Sequence, residues 1–331
     1  MGVTVRDVAK AADVSATTVS RVFNHSELVK PKTQEHVRAV ANQMGYRPNA
    51  TARSLSRGRT HAIGLVLPAP HGEFFSEIIR GVDEVAHEAE HHLLISSIHY
   101  SVSESETALD TLRGRVDGLV IMNTHVEAQT KVLIETDLDV PVVFMNSAMD
   151  GSEYDSFEIE NEAGAHAATQ HLIDRGYRRI GIILGPRVSH DVRDRVRGYR
   201  AALSEAGIDP DEQPVVDGDF TQESGYAAGQ QILDLDPRPD AFFACNDYMA
   251  IGAMAALQEN GVHIPDDLAI AGFDDIPSAR YTTPSLTTVR VPVYDLGRRA
   301  AERLLEVLRV PDASSLRHQT LPSELVPRSS T

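Results

Sequence analysis

The sequence predicts an all-α helix-turn-helix head joined to an α/β body of two parallel-sheet lobes. Three observations predict it. Apolar residues recur at helical spacing on both sides of a tight turn between Thr4 and Asn24. Beyond residue 61, strand-like apolar runs alternate with amphipathic stretches. Charge divides at the same place: residues 1–60 hold ten Lys/Arg and four Asp/Glu, a net +6, whereas the rest of the chain carries −23.

In the head, Thr4 can cap the first helix, with Asp7 three residues on as in a capping box. Val5, Val8, Ala9 and Ala12 make one apolar face. Asp13-Val14 is the turn, and Ser15 can cap a second helix whose inner positions are Val19, Val22 and Phe23. Ala16, Thr17, Thr18 and Arg21 remain near its start and on its outer side. A helix laid in the major groove presents such N-terminal residues to base edges. Arginine can grip guanine bidentately, and threonine offers a hydroxyl and a methyl. A third helix starts near Pro31 and turns Val37, Val40, Ala41 and Met44 inward. Helical spacing alone would fit a plain helical bundle; a basic module on an acidic body is what phosphate binding requires.

The segments Val5-Arg6-Asp7-Val8-Ala9-Lys10, Val14-Ser15, Thr18-Val19-Ser20-Arg21-Val22, Gly45-Tyr46-Arg47-Pro48-Asn49 and Ala52-Arg53-Ser54-Leu55 resemble the head of lactose-repressor-type (LacI/GalR) transcription regulators. The resemblance runs to about residue 328. It implies DNA contacts from Thr4, Ser15, Ala16, Thr17, Thr18, Arg21, Asn24, Tyr46, Asn49, Arg53 and Leu55. One departure is Lys30, which stands where the family has a Ser cap and leaves the third helix about 1 kcal/mol less well capped. Residues 48–60 form the hinge and linker after a head of residues 1–47. Asn49 is a candidate cap and Gly58 a candidate stop for a hinge helix. Helices this short are marginal alone, so it is expected to fold only when two copies pair in the minor groove. There Leu55 would wedge into a base step, as apolar side chains do.

Residues 61–331 suffice for two cores. Strand candidates are Ala62–Leu67, Leu93–Ile98, Gly118–Met122, Val142–Met145, Ile180–Leu184, Ala241–Cys245 and Leu268–Gly272; helix candidates include Phe75–Glu90, Ala163–Arg175, Val192–Ala206 and Met249–Asn260. Such alternation implies parallel sheets covered by helices. The expected N-lobe is about 61–160 with 292–320, and the C-lobe about 161–291 with 321–331. Thr288–Val291 and Leu321–Val326 are expected to cross back between them. The resemblance implies lobes of periplasmic-binding-protein type, and ligands then sit outside the carboxyl ends of the strands.

That rule selects Phe74, Phe75, Asn123, Thr124, Asn146, the stretch from Ser189 to Arg195 with Asp191 in it, Phe220, Asn246, Asp247, Phe273 and Asp274. Aromatic rings can stack on a ligand ring, and Asn, Asp and Arg can bind hydroxyls. The resemblance singles out Arg195 and Asp274 as effector contacts and Ser189, Asp191 and Phe220 as specificity positions. Each has a plainer reading. Phe74 or Phe75 could be core, Asn246 could cap a helix, and Arg195 could pair with Asp191 or Asp194 on its own helix. The family's Asp before Asn161 is Glu160 here, which leaves that contact open.

His87-Glu88-Ala89-Glu90-His91 matches the zinc-protease pattern H-E-x-x-H, yet it lies on the polar face of a helix with no evident third ligand. No dinucleotide or phosphate loop is present, Ser189-His190-Asp191 are consecutive and cannot converge as a triad, and Cys245 is the sole cysteine. No cofactor is expected, and enzymatic activity is disfavoured. Without a signal peptide or transmembrane run, the expected setting is cytoplasmic. The sequence therefore points to a homodimeric repressor of carbohydrate-utilisation genes. It would bind a palindromic operator, and a sugar in the inter-lobe cleft would control it. The other readings are a purine-type corepressor-dependent repressor and a ligand-binding protein without DNA function.

Overall fold

The computed structural model describes residues 3–24, 26–47, 59–68, 71–98, 107, 109–122, 140–146, 154–310 and 315–331. Asn49, Arg53, Leu55, Asn123 and Thr124, and with them the expected hinge helix, lie outside the described residues.

The head consists of α1 (Val5–Ala11), α2 (Ala16–Asn24) and α3 (Pro31–Gln43). Thr4 and Asp7 close the expected capping box. Asp13 takes the left-handed conformation (φ 51°) that lets the chain reverse between α1 and α2. Val8, Ala9, Ala12, Val19, Val22, Val37 and Ala41 form a closed core, edged by Val5, Val14, Phe23, Val29, Val40, Met44 and Tyr46. Lys30 makes no side-chain cap on α3, whose first position is Pro31.

The body holds two parallel sheets. In the first, β1 (Ala62–Pro68), β2 (His92–Ile98), β3 (Gly118–Met122), β4 (Val142–Met145), β5 (Asp155–Ile159) and β11 (His318–Leu321) run in the order β11-β5-β4-β3-β1-β2. In the second, β6 (Ile180–Leu184), β7 (Val215–Asp217), β8 (Ala241–Ala244) and β9 (Ala269–Ala271) run β7-β6-β8-β9. The two late segments pair with each other: β10 (Thr288–Arg290) lies antiparallel to β12 (Glu324–Val326). The central strands β1, β3, β6 and β8 are buried along their whole length, as expected of strands covered on both faces.

The helices are α4 (Gly72–Glu88), α5 (Asn161–Asp174), α6 (His190–Glu205), α7 (Gln222–Leu233), α8 (Asp247–Glu259) and α9 (Val293–Arg309). They pack in pairs, α4 with α9, α5 with α6 and α7 with α8. Reciprocal glycines let the backbones approach in the first and third pairs, and Gly198 of α6 alone does so against α5. A Cβ on Gly81 would overlap the Tyr294 carbonyl, and one on Gly297 would reach the Ile78 carbonyl. Gly225 meets Met249 and Gly252 meets Gln222 in the same way. Gly81→Ala is expected to lower stability by about 1–3 kcal/mol by forcing α4 from α9, read as a fall in urea midpoint at unchanged slope.

Three strands escaped the sequence reading: β5, β7 and β11. Strand β5 begins Asp155-Ser156, yet both are buried, because Arg303 and the Arg317 amide reach Asp155 and the His318 ring reaches Ser156. Those partners are supplied from the distant C-terminal part of the chain.

Candidate effector cleft and DNA-reading face

The carboxyl ends of the two sheets face each other across a cavity of about 90 Å³. Pro68, His71, Phe74, Phe75 and Met122 line it from one lobe. Pro186, Asp191, Arg195, Asp219, Phe220, Asn246, Tyr248 and Asp274 line it from the other. Both Phe74 and Phe75 are half-buried, pack against the hydrophobic core and reach the cavity, with ring centroids 5.2 Å apart in an edge-on pair. The core reading and the cleft position are therefore both realised.

The polar floor is built around Arg195, 3% exposed. Its guanidinium lies 3.8 Å over the Phe273 ring, a cation–π contact. Nε donates to Asn161 Oδ1 at 2.9 Å, Nη1 donates to the Cys245 carbonyl, and Nη2 stands 3.5 Å from Asp274 Oδ1. Asp194 pairs instead with Arg197 and His190, so Arg195 is not tied up along its own helix by that residue. Phe273 is wholly buried behind the floor.

Asp191 is buried and accepts from Asn146 Nδ2 at 2.7 Å on both oxygens and from Asn161 Nδ2 at 3.0 Å. The Asn146 bond crosses between lobes. A second crossing joins the Glu73 carboxylate to the Ser278 hydroxyl (2.8 Å) and amide (3.1 Å), and the Glu73 amide to the Tyr248 hydroxyl. Asn246 caps α8 through Met249 N (3.0 Å) and donates to the Phe220 carbonyl, so the capping reading and the cleft position are both realised. Ser189 is fully buried behind the cavity. Its hydroxyl and Asp274 Oδ1 find no hydrogen-bond partner among the described residues. Glu160 is exposed at the start of α5 and does not line the cavity. Its neighbour Asn161 turns inward instead.

Burial pushes the Asp274 carboxyl up to about 7, with Arg195 pulling down and Asp191 adding to the rise. Burial likewise raises Asp191, opposed first by Arg195. Backbone strain gathers at the same place. Asn146 (φ 47°), Phe220 (72°), Asp274 (119°) and Asp275 (53°) all hold left-handed conformations without being glycine. Such residues persist where the surroundings over-determine them, commonly at ligand sites.

His71, Asp219 and Tyr248 line the cavity without having been selected from sequence. The strand-end rule reaches all three: His71 lies between β1 and the chosen Phe74, and Asp219 and Tyr248 flank the chosen Phe220 and Asp247. Cys245 is buried and its thiol is pushed up to about 11 by desolvation, which suits packing. In the H-E-x-x-H segment, His87 and Glu88 are exposed and His91 bonds the Ala89 carbonyl.

On the head, Ser15, Ala16, Thr17 and Arg21 are exposed along one side of α2. The Ser15 hydroxyl caps α2 by accepting from Thr18 N (3.0 Å) and bonds the Thr18 hydroxyl (2.8 Å). The Thr4 side chain is engaged with Asp7, Asn24 donates to Ser20, and Tyr46 packs on Phe23. Arg6, Lys10, Arg21, Lys30, Lys32, Arg38 and Arg47 are all exposed.

A basic helix-turn-helix head and a two-lobe body with a polar inter-lobe cavity define a ligand-responsive DNA-binding protein. Residues 4–49 match the bacterial regulatory proteins of the lacI family, and residues 169–331 match the periplasmic binding protein-like domain. The chain is 35% identical over 327 residues to the HTH-type transcriptional repressor PurR of Vibrio atlanticus (strain LGP32), covering 98% of each protein. It is 35% identical over 320 residues to the ribose operon repressor of Escherichia coli (strain K12), covering 96% of this chain and 97% of that one. The solved Lac repressor dimer bound to operator and the anti-inducer ONPF superposes with a TM-score of 0.85 at 30% identity, covering 100% of this chain and 99% of that one. The chain belongs to the lacI family of bacterial regulatory proteins. It is a DNA-binding regulator and not an enzyme. Among the described residues, no helix is long and apolar enough to cross a membrane.

Proposed function

We propose that this protein is a cytoplasmic, homodimeric transcriptional repressor of carbohydrate-utilisation genes, whose affinity for a palindromic operator is set by a small sugar in the inter-lobe cleft. The observation that carries the sugar reading is the Asp274 carboxylate paired with Arg195, its Oδ1 making no hydrogen bond among the described residues, at the floor of a cavity walled by Phe74, Phe75 and Phe220. A hydroxyl can donate to that oxygen while a second accepts from the guanidinium, and the rings cover the sugar's apolar face. Asn146, Ser189, Asp191 and Asn246 complete the proposed effector shell: Asn146 and Asp191 hold each other across the lobes, Asn246 fixes the Phe220 carbonyl, and the buried Ser189 precedes α6. The likeness to a ribose operon repressor supports a pentose-sized ligand.

Closure of the lobes, held by Asn146–Asp191 and Glu73–Ser278, is the two-state element. A hundredfold change in operator affinity requires the effector to prefer one state by about 2.7 kcal/mol. The aromatic walls and the likeness to PurR repressors favour a second reading, a purine corepressor. A thermal-shift panel of D-ribose, other free sugars, sugar phosphates, polyols and purines separates them. The expected result is a sugar that stabilises the wild type and has no effect on Asp274→Ala. Stabilisation by purines alone would replace the sugar reading.

Ser15, Ala16, Thr17, Thr18 and Arg21 are the proposed base-reading residues, with Thr4, Asn24 and Tyr46 supporting the head against the backbone. Asn49, Arg53 and Leu55 are assigned to the hinge. Arg21→Ala is expected to weaken binding to an operator selected from random palindromes by about 1–3 kcal/mol and to relax the sequence preference at one base pair per half-site. An equal loss on every sequence would assign Arg21 to phosphate instead.

A further inference from the structure

Asp274 sits in a turn that the chain would not adopt unaided, since both Asp274 (φ 119°) and Asp275 (φ 53°) are left-handed. Backbone bonds to Thr287 and Val289 hold one side of this turn, and a side chain outside the cavity lining meets it on both flanks. Asp247 opens α8 and is completely buried. Its amide donates to the Phe273 carbonyl (2.8 Å), before the turn. One carboxyl oxygen, Oδ2, accepts from Ile276 N (2.9 Å), after it. The other, Oδ1, accepts from the Thr288 hydroxyl, which in turn accepts from Asp275 N at 3.4 Å. Gly272 lies against the same oxygen so closely that a Cβ there would overlap it. Asp247 thus bonds residues 273 and 276, abuts Gly272 and reaches Asp275 through Thr288. Arg280, Arg290 and Arg328 hold the Asp275 carboxylate, and Asp274 N donates to the Val289 carbonyl while its side chain faces the cleft.

We propose that Asp247 is a positioning residue of the effector site, fastening the strained turn that presents Asp274 to the ligand. The inference rests on the reading of Asp274 as an effector contact, but its test does not need an effector. Asp274 is faced by Arg195 and Asp191 from α6 and by Asp247 and Tyr248 from α8, with Cys245 nearby. Its titration midpoint therefore reports whether the turn keeps it buried among them. Burial, with Asp274 alongside, holds the Asp247 carboxyl well above the usual carboxylate range. Asparagine thus resembles its protonated form in shape and charge.

The experiment is aspartate 13Cγ NMR of the full-length protein across pH 4–9 (a span set by the ordinary and raised carboxylate ranges, roughly), with the Asp274 signal assigned by its loss in Asp274→Asn. Wild type should titrate near 7. In Asp247→Ala the turn comes loose, Asp274 becomes solvated, and its midpoint falls by about one pH unit or more. Asp247→Asn should restore it close to the wild-type value. A role confined to starting α8 would lower the melting temperature and leave the Asp274 midpoint unmoved. An unmoved midpoint in Asp247→Ala overturns the proposal. So does an equal fall in both variants, which would reveal like-charge repulsion rather than positioning. If Asp247→Ala does not fold, Thr288→Val cuts the link from Asp247 to Asp275 with little change in shape, and the same downward shift is expected.

Discussion

Asp274→Asn should make the protein more stable above pH 7 while removing its response to effector. The folded-state carboxyl titrates near 7, whereas its ordinary value is 3.8. The folded state therefore holds this proton more tightly than the unfolded chain does. The stability gained from it is complete below about pH 4 and is lost as pH rises through 7. A difference of about three pH units corresponds to roughly 4 kcal/mol. Asparagine keeps the shape, never ionises, and forfeits part of the attraction to Arg195, so the net gain at pH 8 is about 2–4 kcal/mol. Urea unfolding at pH 5 and pH 8 measures it. Wild type and variant should be close at the lower pH and diverge at the higher; equal differences at both would mean that Asp274 is not the titrating group.

Arg195→Ala should have the opposite effect, a loss of about 3–5 kcal/mol, as when one partner is removed from a buried ion pair. Arg195 is nearly inaccessible and joins Asn161, the Cys245 carbonyl, Asp274 and the Phe273 ring. Without it, the largest positive influence offsetting the burial of Asp274 and Asp191 is gone. The loss should therefore deepen as pH rises and these carboxyls are pressed to ionise. Arg195→Met retains packing over Phe273 but not the charge, and should recover only the pH-independent part. A deficit unchanged between pH 5 and pH 8 would show that Arg195 acts by packing alone.

These expectations describe a site held at some cost to the fold. Two buried aspartates, Asp191 and Asp274, share one buried arginine, and a third, Asp247, is buried beside Asp274. The strained turns at Phe220 and Asp274 lie in the same place. A regulator needs such a cleft to be improvable by its ligand, since only interactions that differ between two states can shift their balance. Oδ1 of Asp274, which makes no hydrogen bond among the described residues, is one atom through which a ligand can do so.

Much of the molecule was legible residue by residue. Thr4 with Asp7, Ser15 before α2, and the missing cap at Lys30 are local events within one helical turn, so sequence spacing was enough to read them. The long apolar runs of β1, β3, β6 and β8 announced buried parallel strands, and the strand-end rule led to Phe74, Phe75, Arg195, Phe220, Asn246 and Asp274. Periodicity assigns faces but not partners. It could not place residues 318–321 beside β5, nor bury Asp155 against Arg303. Nor could it turn Asn161 inward and Glu160 outward, give Asp191 to an asparagine of the opposite lobe, or lock the Asp274 turn with Asp247. Each of these depends on polar groups that are costly to bury alone and become tolerable once a partner arrives from far along the chain. The sequence by itself therefore determined the elements and the kinds of residue at the cleft. The tertiary structure decided which charges are paired, which are left for a ligand, and how strongly each holds its proton.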